Sequence, residues 1–304
     1  MKISIIGAGN VGATLATRVI ESGAADIVLV DILKGMAAGK ALDMLHAAPI
    51  VGYQRSIIGT DDYVDTKGSD IIVITAGFAR KPGMTRADLT AKNSAVIREV
   101  ITKTKGLSPK AIMIIVTNPL DVMTYLAFKE SGFDRKKIFG MAGVLDTSRF
   151  VHTIANRLRV PHKEVETIVL GEHGPNMVPI ISRTKVSGKP LASILQQEEI
   201  EDLIKELSEC GAKIVELLGS TSAFYAPSAA CFFMIKAIAG DEKRLMSVSC
   251  LAQGEYGMSG VCTGLPVKLG KNGIEEIVKL DLEPRELEAL QRSAAPTKEA
   301  LLSL

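Results

Sequence analysis

The sequence predicts an α/β protein, a doubly wound parallel sheet followed by an α+β half. Three observations carry this. Up to about residue 145, short β-branched runs alternate with longer amphipathic stretches, the pattern of repeated βαβ units. The runs are continuous enough in apolar residues to be strands buried on both faces. Beyond that point the alternation stops, and the chain divides into 1–145 and 146–304.

In order, "KISII" (2–6), "DIVLV" (26–30), "SIIGT" (56–60), "DIIVIT" (70–75), "AIMIIV" (111–116) and "KIFGM" (137–141) are predicted strands. Between them, 12–23, 87–104 and 119–132 carry helical periodicity, the last with Pro119 in a first helical turn and Gly132 as a stop. The small residues of "GMAAGKALDMLHAA" (35–48) suit close helix packing. Further on, 145–160 is a helix with Leu145, Phe150, Ile154 and Leu158 on one face. "ETIVLGEHG" and the stretch after it are strands and turns, and a long helical region runs from 198 to 240. Strands around "LMSVSCLAQG" and "GVCTGLPVKLG" precede a terminal helix opened by Pro284 and interrupted near Pro296. No low-complexity linker separates the halves, so they should share an interface.

Composition narrows the partners. The 304 residues are 47% hydrophobic, enough for a large core without staples. A formal charge of +2, from 36 basic and 34 acidic side chains, gives no overall field for nucleic acid. Cys210, Cys231, Cys250 and Cys262 form no C-x-x-C pair and read as reduced, mostly buried thiols of a cytoplasmic protein, not as metal ligands. Met1-Lys2 leads straight into the first strand without a signal-peptide pattern, and no apolar run reaches the ~18 residues of a membrane helix. The expectation is a soluble protein with no membrane or nucleic-acid partner and no metal.

"GAGNVG" at 7–12 follows the first strand and opens a helix, and Asp31 closes the next strand 19 residues after Gly12. Gly7 permits a tight turn, Gly9 lets backbone approach a pyrophosphate, and Gly12 allows close helix–sheet packing. The helix N-terminus adds free N–H groups and a positive dipole end. Asp31 can accept from ribose hydroxyls and would repel a 2′-phosphate, which favours NAD over NADP. This is the Rossmann pattern; a related fold binding another adenine cofactor, such as S-adenosylmethionine, stays open on these residues alone.

Hydride transfer at a carbon bearing oxygen needs a group that moves the proton, and histidine suits that near neutral pH. His46, His152 and His162 sit in helical or charged contexts. His173 lies in "GEHG", a glycine-bracketed turn after "TIVL" that would lift an imidazole towards a cleft. Asp146 is a candidate to orient it, with a competing role as the N-cap of its own helix. Arg149, three residues on, shares a helical face with Asp146 and can present a fork to a carboxylate. Asn118 in "VTNPLD" ends a strand at the carboxyl edge where open α/β sheets bind ligands. "AGFARKPGMTR" (76–86) adds Arg80 and Arg86, six residues apart around a Pro-Gly that forbids a helix. Asn93 follows in the next helix, where an exposed polar role is equally open.

Together these residues resemble the lactate and malate dehydrogenases, NAD-dependent 2-hydroxyacid dehydrogenases. The resemblance covers essentially the whole chain, with "GAGNVG", Asp31, "ARKPGMTR", "VTNPLD", "GVLDTSRF", "GEHG", "SAFYAP" and "PVKLGKNG" in the family's order. It implies His173 as general acid/base, Asp146 as its partner, Arg149 as the clamp on the carboxylate beside the reacting carbon, and Asn118 as a substrate contact. It implies cofactor contacts from Gly7, Ala8, Gly9, Asn10, Val11, Gly12, Asp31, Asn93, Val116, Thr117 and Asn118. Arg86 would arrive on a closing loop, from about 78 to 90, and polarise the carbonyl oxygen. Arg80 stands where lactate-specific relatives have glutamine, implying a dicarboxylate substrate, malate or oxaloacetate, because pyruvate would leave its guanidinium unpaired. A homodimer or homotetramer is implied too. The alternatives are a lactate or broad-specificity 2-hydroxyacid enzyme and a non-catalytic nucleotide-binding module. Thr221 and Glu172 depart from the pattern of many malate-type relatives without touching the reaction class.

Overall fold

The computed structural model describes residues 1–79, 84–219, 221–302 and 304, and the Arg86 side chain lies outside the description. Six parallel strands open the chain: β1 (Lys2–Ile6), β2 (Asp26–Val30), β3 (Ile57–Thr60), β4 (Ile71–Ile74), β5 (Ile112–Ile115) and β6 (Ile138–Gly140). Their order, β3-β2-β1-β4-β5-β6, is the doubly wound one, with the reversal between β1 and β4. Alternate side chains feed two cores. Ile3, Ile5, Ile27, Leu29, Ile71 and Val73 face one side. Ile6, Val28, Val30, Ile72 and Ile74 face the other. Most positions of each strand are therefore apolar, the feature that made the strands legible, although Ser4 is buried in β1 and Ile58 of β3 is exposed.

Helices α1 (Asn10–Glu21), α2 (Met36–Val51), α3 (Arg86–Thr104) and α4 (Leu120–Ser131) connect these strands. Pro119 is the N-cap of α4 rather than part of its first turn, and the Asn118–Pro119 peptide is cis. Thr85 and Asp88 close a capping box that starts α3 at Arg86. Residues 86–90 of the expected closing loop are thus helical.

The second half opens with α5 (Gly143–Leu158) and three short strands, β7 (Val165–Glu166), β8 (Val169–Gly171) and β9 (Met177–Pro179). Strands β10 (Lys185–Val186) and β11 (Lys189–Pro190) join β7 in a small separate sheet. The long helical region expected from about 198 to 240 divides into two helices, α6 (Gln197–Leu218) and α7 (Tyr225–Ala239). Gly219 ends α6 at a φ of 69°, and the small polar residues after it favour a turn. The long hairpin β12 (Arg244–Gln253) and β13 (Ser259–Gly270) follows, with β14 (Gly273–Ile277), α8 (Pro284–Ser293) and α9 (Ala295–Leu301) completing the chain.

The halves share one sheet. β12 adds antiparallel to β6 through the single pair Ser249–Gly140, and β13, β8 and β9 continue the order beyond it. Close approach explains the glycines at this seam. A Cβ at Gly140 would stand 2.5 Å from Thr124 Oγ1, and one at Gly143 would stand 2.0 Å from Ser247 Oγ. The first turn of α5 is pressed directly onto β12. No helix among the described residues is long and apolar enough to cross a membrane.

Candidate active site

The phosphate end of the site forms where β1 turns into α1. Gly7 adopts a φ of 105°, and a side chain there would lie 2.7 Å from Ala76 N. A Cβ on Gly12 would come within 1.9 Å of the Gly7 carbonyl oxygen. The fold itself demands both glycines. Gly9 differs, because its φ of −67° suits any residue and an added Cβ meets nothing within 4 Å. The protein gives no reason for that glycine, whereas a pyrophosphate laid against the backbone does. Gly9 and Asn10 are exposed at the start of α1, which has no side-chain cap, so its first N–H groups face outward for an anion.

Asp31 closes β2 beside this turn. Its Oδ2 accepts the Ala8 N–H at 2.7 Å and its Oδ1 accepts the Leu33 N–H at 2.9 Å. Lys40 of α2 donates to the carbonyl of the same Ala8 at 2.6 Å, so the peptide is held from both ends. Sequence reasoning missed Lys40, since a lysine within a helix carries no signal that it reaches back to a loop. The glycine turn, the helix end and an acid at the neighbouring strand end fit a dinucleotide with free ribose hydroxyls.

Next along the carboxyl edge stand Val116, Thr117 and Asn118, beyond β5. Thr117 donates to the Ala76 carbonyl at 2.6 Å, which binds the ends of β4 and β5 together. Asn118 is exposed at the edge. Asn93 is fully buried: its amide donates to the carbonyls of Asn118 at 2.6 Å and Phe78 at 3.2 Å and accepts the Phe78 N–H at 2.8 Å. Both of its protons are thereby used in fixing the Asn118 backbone and the start of the arginine loop. Arg80 lies outside the described residues; Arg86 supplies the first residue of α3.

The chemical end comes from the second half. Gly171 ends β8 at a φ of 85°, turning the chain so that His173 stands at the strand end. His173 Nδ1 lies 2.7 Å from Asp146 Oδ2. The other oxygen, Oδ1, is 3.5 Å from Arg149 Nη1. The Asp146 carboxylate is 2% exposed, while the His173 and Arg149 side chains each keep 15%, enough to reach a ligand. Asp146 is not the helix cap: Ala142 occupies that position, and the carboxylate points across to the histidine. Thr147 accepts the Val169 N–H at 3.0 Å and so ties the same turn of α5 to β8.

An ionised carboxylate only accepts, so the Asp146 contact keeps the proton on Nδ1 and leaves Nε2 as the nitrogen able to take up a further proton. Burial pulls the imidazole towards its neutral form, but the charge and hydrogen bond of Asp146 and the charge of Asp121 outweigh it. Arg149 opposes them, and the balance raises the histidine above its ordinary 6.5. Arg149 Nε is buried and has no hydrogen-bond partner among the described residues, a donor left over for a ligand's acceptor. His152 and His162 contact each other on the exposed surface at 3.2 Å, and His46 is exposed on α2.

A dinucleotide cradle and a His–Asp–Arg cluster at one edge of a doubly wound sheet define a nucleotide-dependent oxidoreductase. Residues 1–140 match the lactate/malate dehydrogenase NAD-binding domain, and residues 143–302 match the alpha/beta C-terminal domain of the same family. The chain belongs to the lactate/malate dehydrogenase family, whose members use NAD. It is 48% identical over 305 residues to a malate dehydrogenase from Chlorobium limicola, covering all of this chain and 98% of that one. The structure of malate dehydrogenase from Salinibacter ruber superposes with a TM-score of 0.94 at 43% identity, over 99% of this chain and 96% of that one. Lactate dehydrogenase from Cryptosporidium parvum, complexed with lactic acid and β-nicotinamide adenine dinucleotide, gives 0.96 at 37% identity, over 99% and 97%.

The glycines separate ligand from fold. Gly9→Ala should leave the melting temperature unchanged and weaken NAD binding, whereas Gly12→Ala should destabilise the protein by more than about 2 kcal/mol. Thermal melts with and without NAD check this, and equal destabilisation by both would contradict it.

Proposed function

We propose that the chain catalyses the reversible NAD-dependent oxidation of (S)-malate to oxaloacetate. The observation that carries the reading is the 2.7 Å contact between His173 and Asp146, with Arg149 on the far oxygen of the same carboxylate. Full-length relatives named malate dehydrogenase support it. We divide the work near residue 145: residues 1–145 hold the dinucleotide and 146–304 supply the proton-transfer group.

NAD, when bound, supplies the hydride acceptor for malate oxidation and, as NADH, the donor for the reverse. The chain's residues do the rest. Arg149 offers its fork and its unpaired Nε to the carboxylate next to the reacting carbon. Asn118, at the sheet edge, orients the hydroxyl-bearing carbon. Neutral His173 takes the hydroxyl proton on Nε2, and Asp146 stabilises the imidazolium that forms. In the reverse direction His173 enters protonated, and its raised pKa keeps it so through more of the neutral range. Arg86 stabilises charge gathering on the carbonyl oxygen as water is excluded. Arg80 pairs with the second carboxylate; this assignment rests on the sequence resemblance.

We assign the exposed face of α2 to a second copy of the chain. Only Ala37 and Ala41 of its 16 residues are buried, while Leu42, Leu45, Ile50 and Val51 are exposed, Ile50 to 88%. So many large apolar side chains left exposed on one helix mark an interaction surface. Apolar side chains are self-complementary in chemistry, as a two-fold contact requires.

Arg80→Gln should lower kcat/KM for oxaloacetate by about a hundredfold or more and narrow the preference over pyruvate, because the substrate's second carboxylate loses its partner. Initial rates of NADH oxidation with the two substrates decide it, and comparable rates in the parent protein would contradict the assignment. Sedimentation at micromolar concentration should give a dimer or tetramer, and Leu42→Glu combined with Ile50→Glu should dissociate it; a monomeric parent would overturn the interface.

A further inference from the structure

The proposed mechanism makes no use of Asp121, a charged side chain buried beside its centre. It lies in the first turn of α4, three residues after Asn118, and is 3% exposed. Its Oδ2 accepts the backbone N–H of His173 at 2.8 Å, and its Oδ1 accepts the Ser249 hydroxyl at 2.5 Å. Three parts of the chain meet on this carboxylate: the helix that begins beside Asn118, the turn that carries His173, and the seam strand β12.

Two hydrogen bonds to neutral groups do not require a charge, since an asparagine could accept the His173 N–H through its carbonyl and donate its amide to the Ser249 hydroxyl oxygen without ionising. Burying a carboxylate is costly unless the charge acts on something. The one cation whose backbone it holds is the His173 imidazolium, which has Asp146 at its ring nitrogen. We propose that Asp121 is a positioning residue for His173: it fixes the histidine's backbone through one oxygen and, by its negative charge, favours the protonated ring, forming the second carboxylate of a pair around the imidazole. The inference rests on the acid/base reading above only where turnover is concerned.

The surrounding charges are consistent with this. His173 is drawn towards its charged form by Asp146 on α5 and by Asp121, with Arg149 opposing. Asp121 is pushed up to about 6 by burial, against the pull of the Ser249 hydroxyl, the His173 N–H and the histidine's own charge, and Glu172 pushes it further up. Cys250 on β12 and Cys262 on β13 also lie within its field, but burial holds both thiols neutral. Asp121 therefore carries its charge above pH 6, where oxaloacetate reduction needs a protonated His173. Removing the charge lowers the histidine's pKa.

The test reads the His173 ring by NMR titration of the full-length protein without substrate, its resonance assigned by loss in His173→Gln. Asp121→Asn, which keeps the size and one acceptor, should lower the His173 midpoint by about half a unit or more. Ser249→Ala removes a donor that keeps Asp121 ionised and should move it the same way by less. The high-pH fall of oxaloacetate reduction should shift down with the midpoint, which a merely structural role would not produce. A midpoint unchanged or raised in Asp121→Asn overturns the proposal; if that variant does not fold, an unchanged midpoint in Ser249→Ala does so. A lowered midpoint in a protein with no turnover even in its parent form would support Asp121 and refute the assigned reaction.

Discussion

The carboxylate of Asp146 is the point on which the site depends. It is nearly inaccessible to water, and an isolated charge there would be strongly unfavourable. Its partners resolve the difficulty in different ways: His173 lies at 2.7 Å, where a protonated ring would be paired with it, and Arg149 at 3.5 Å carries a permanent charge. On the proposed mechanism an imidazolium at His173 would form against a charge already in place. A partner placed 1 Å further away would lose much of that advantage.

Holding that distance requires a rigid frame between two elements far apart in sequence. The frame is the seam between the halves. Gly143 lets α5 begin against Ser247, Thr147 fastens its first turn to the start of β8, and Gly140 lets β12 close onto β6. Arg135 adds a clasp by donating to the Leu251 carbonyl and to Glu255, both at 2.9 Å. Because the sheet runs unbroken from the dinucleotide strands into the β12–β13 hairpin, the cradle and the histidine are fixed on one scaffold. Asp121 extends this frame to the backbone on the other side of His173.

Much of this was legible in the sequence, for a physical reason. Strands buried on both faces are apolar at most positions, so β1 to β6 were found within a residue or two of their ends. "GAGNVG" with Asp31 was legible because backbone geometry and phosphate binding restrict the residue types so severely. The division of 198–240 into two helices was lost because the stretches on either side are both helical in pattern, although Gly219 and the small polar residues after it carry a turn signal. Asp146 looked equally able to cap its helix, since only the fold brings His173 to it across 27 residues. Asp121 and Asn93 act largely through backbone groups, which have no sequence identity to read. The shared sheet rests on one residue pair, Gly140 and Ser249, too small a feature to leave a pattern.

The most direct test of the account replaces Asp146 with asparagine, which keeps the shape and removes the charge. With NAD affinity followed by fluorescence and malate oxidation by NADH formation, kcat should fall by about a hundredfold or more while the dissociation constant for NAD stays within about twofold. A variant that retains kcat within about threefold, or that loses NAD affinity in proportion to activity, would contradict the claim that this buried charge serves the proton on His173.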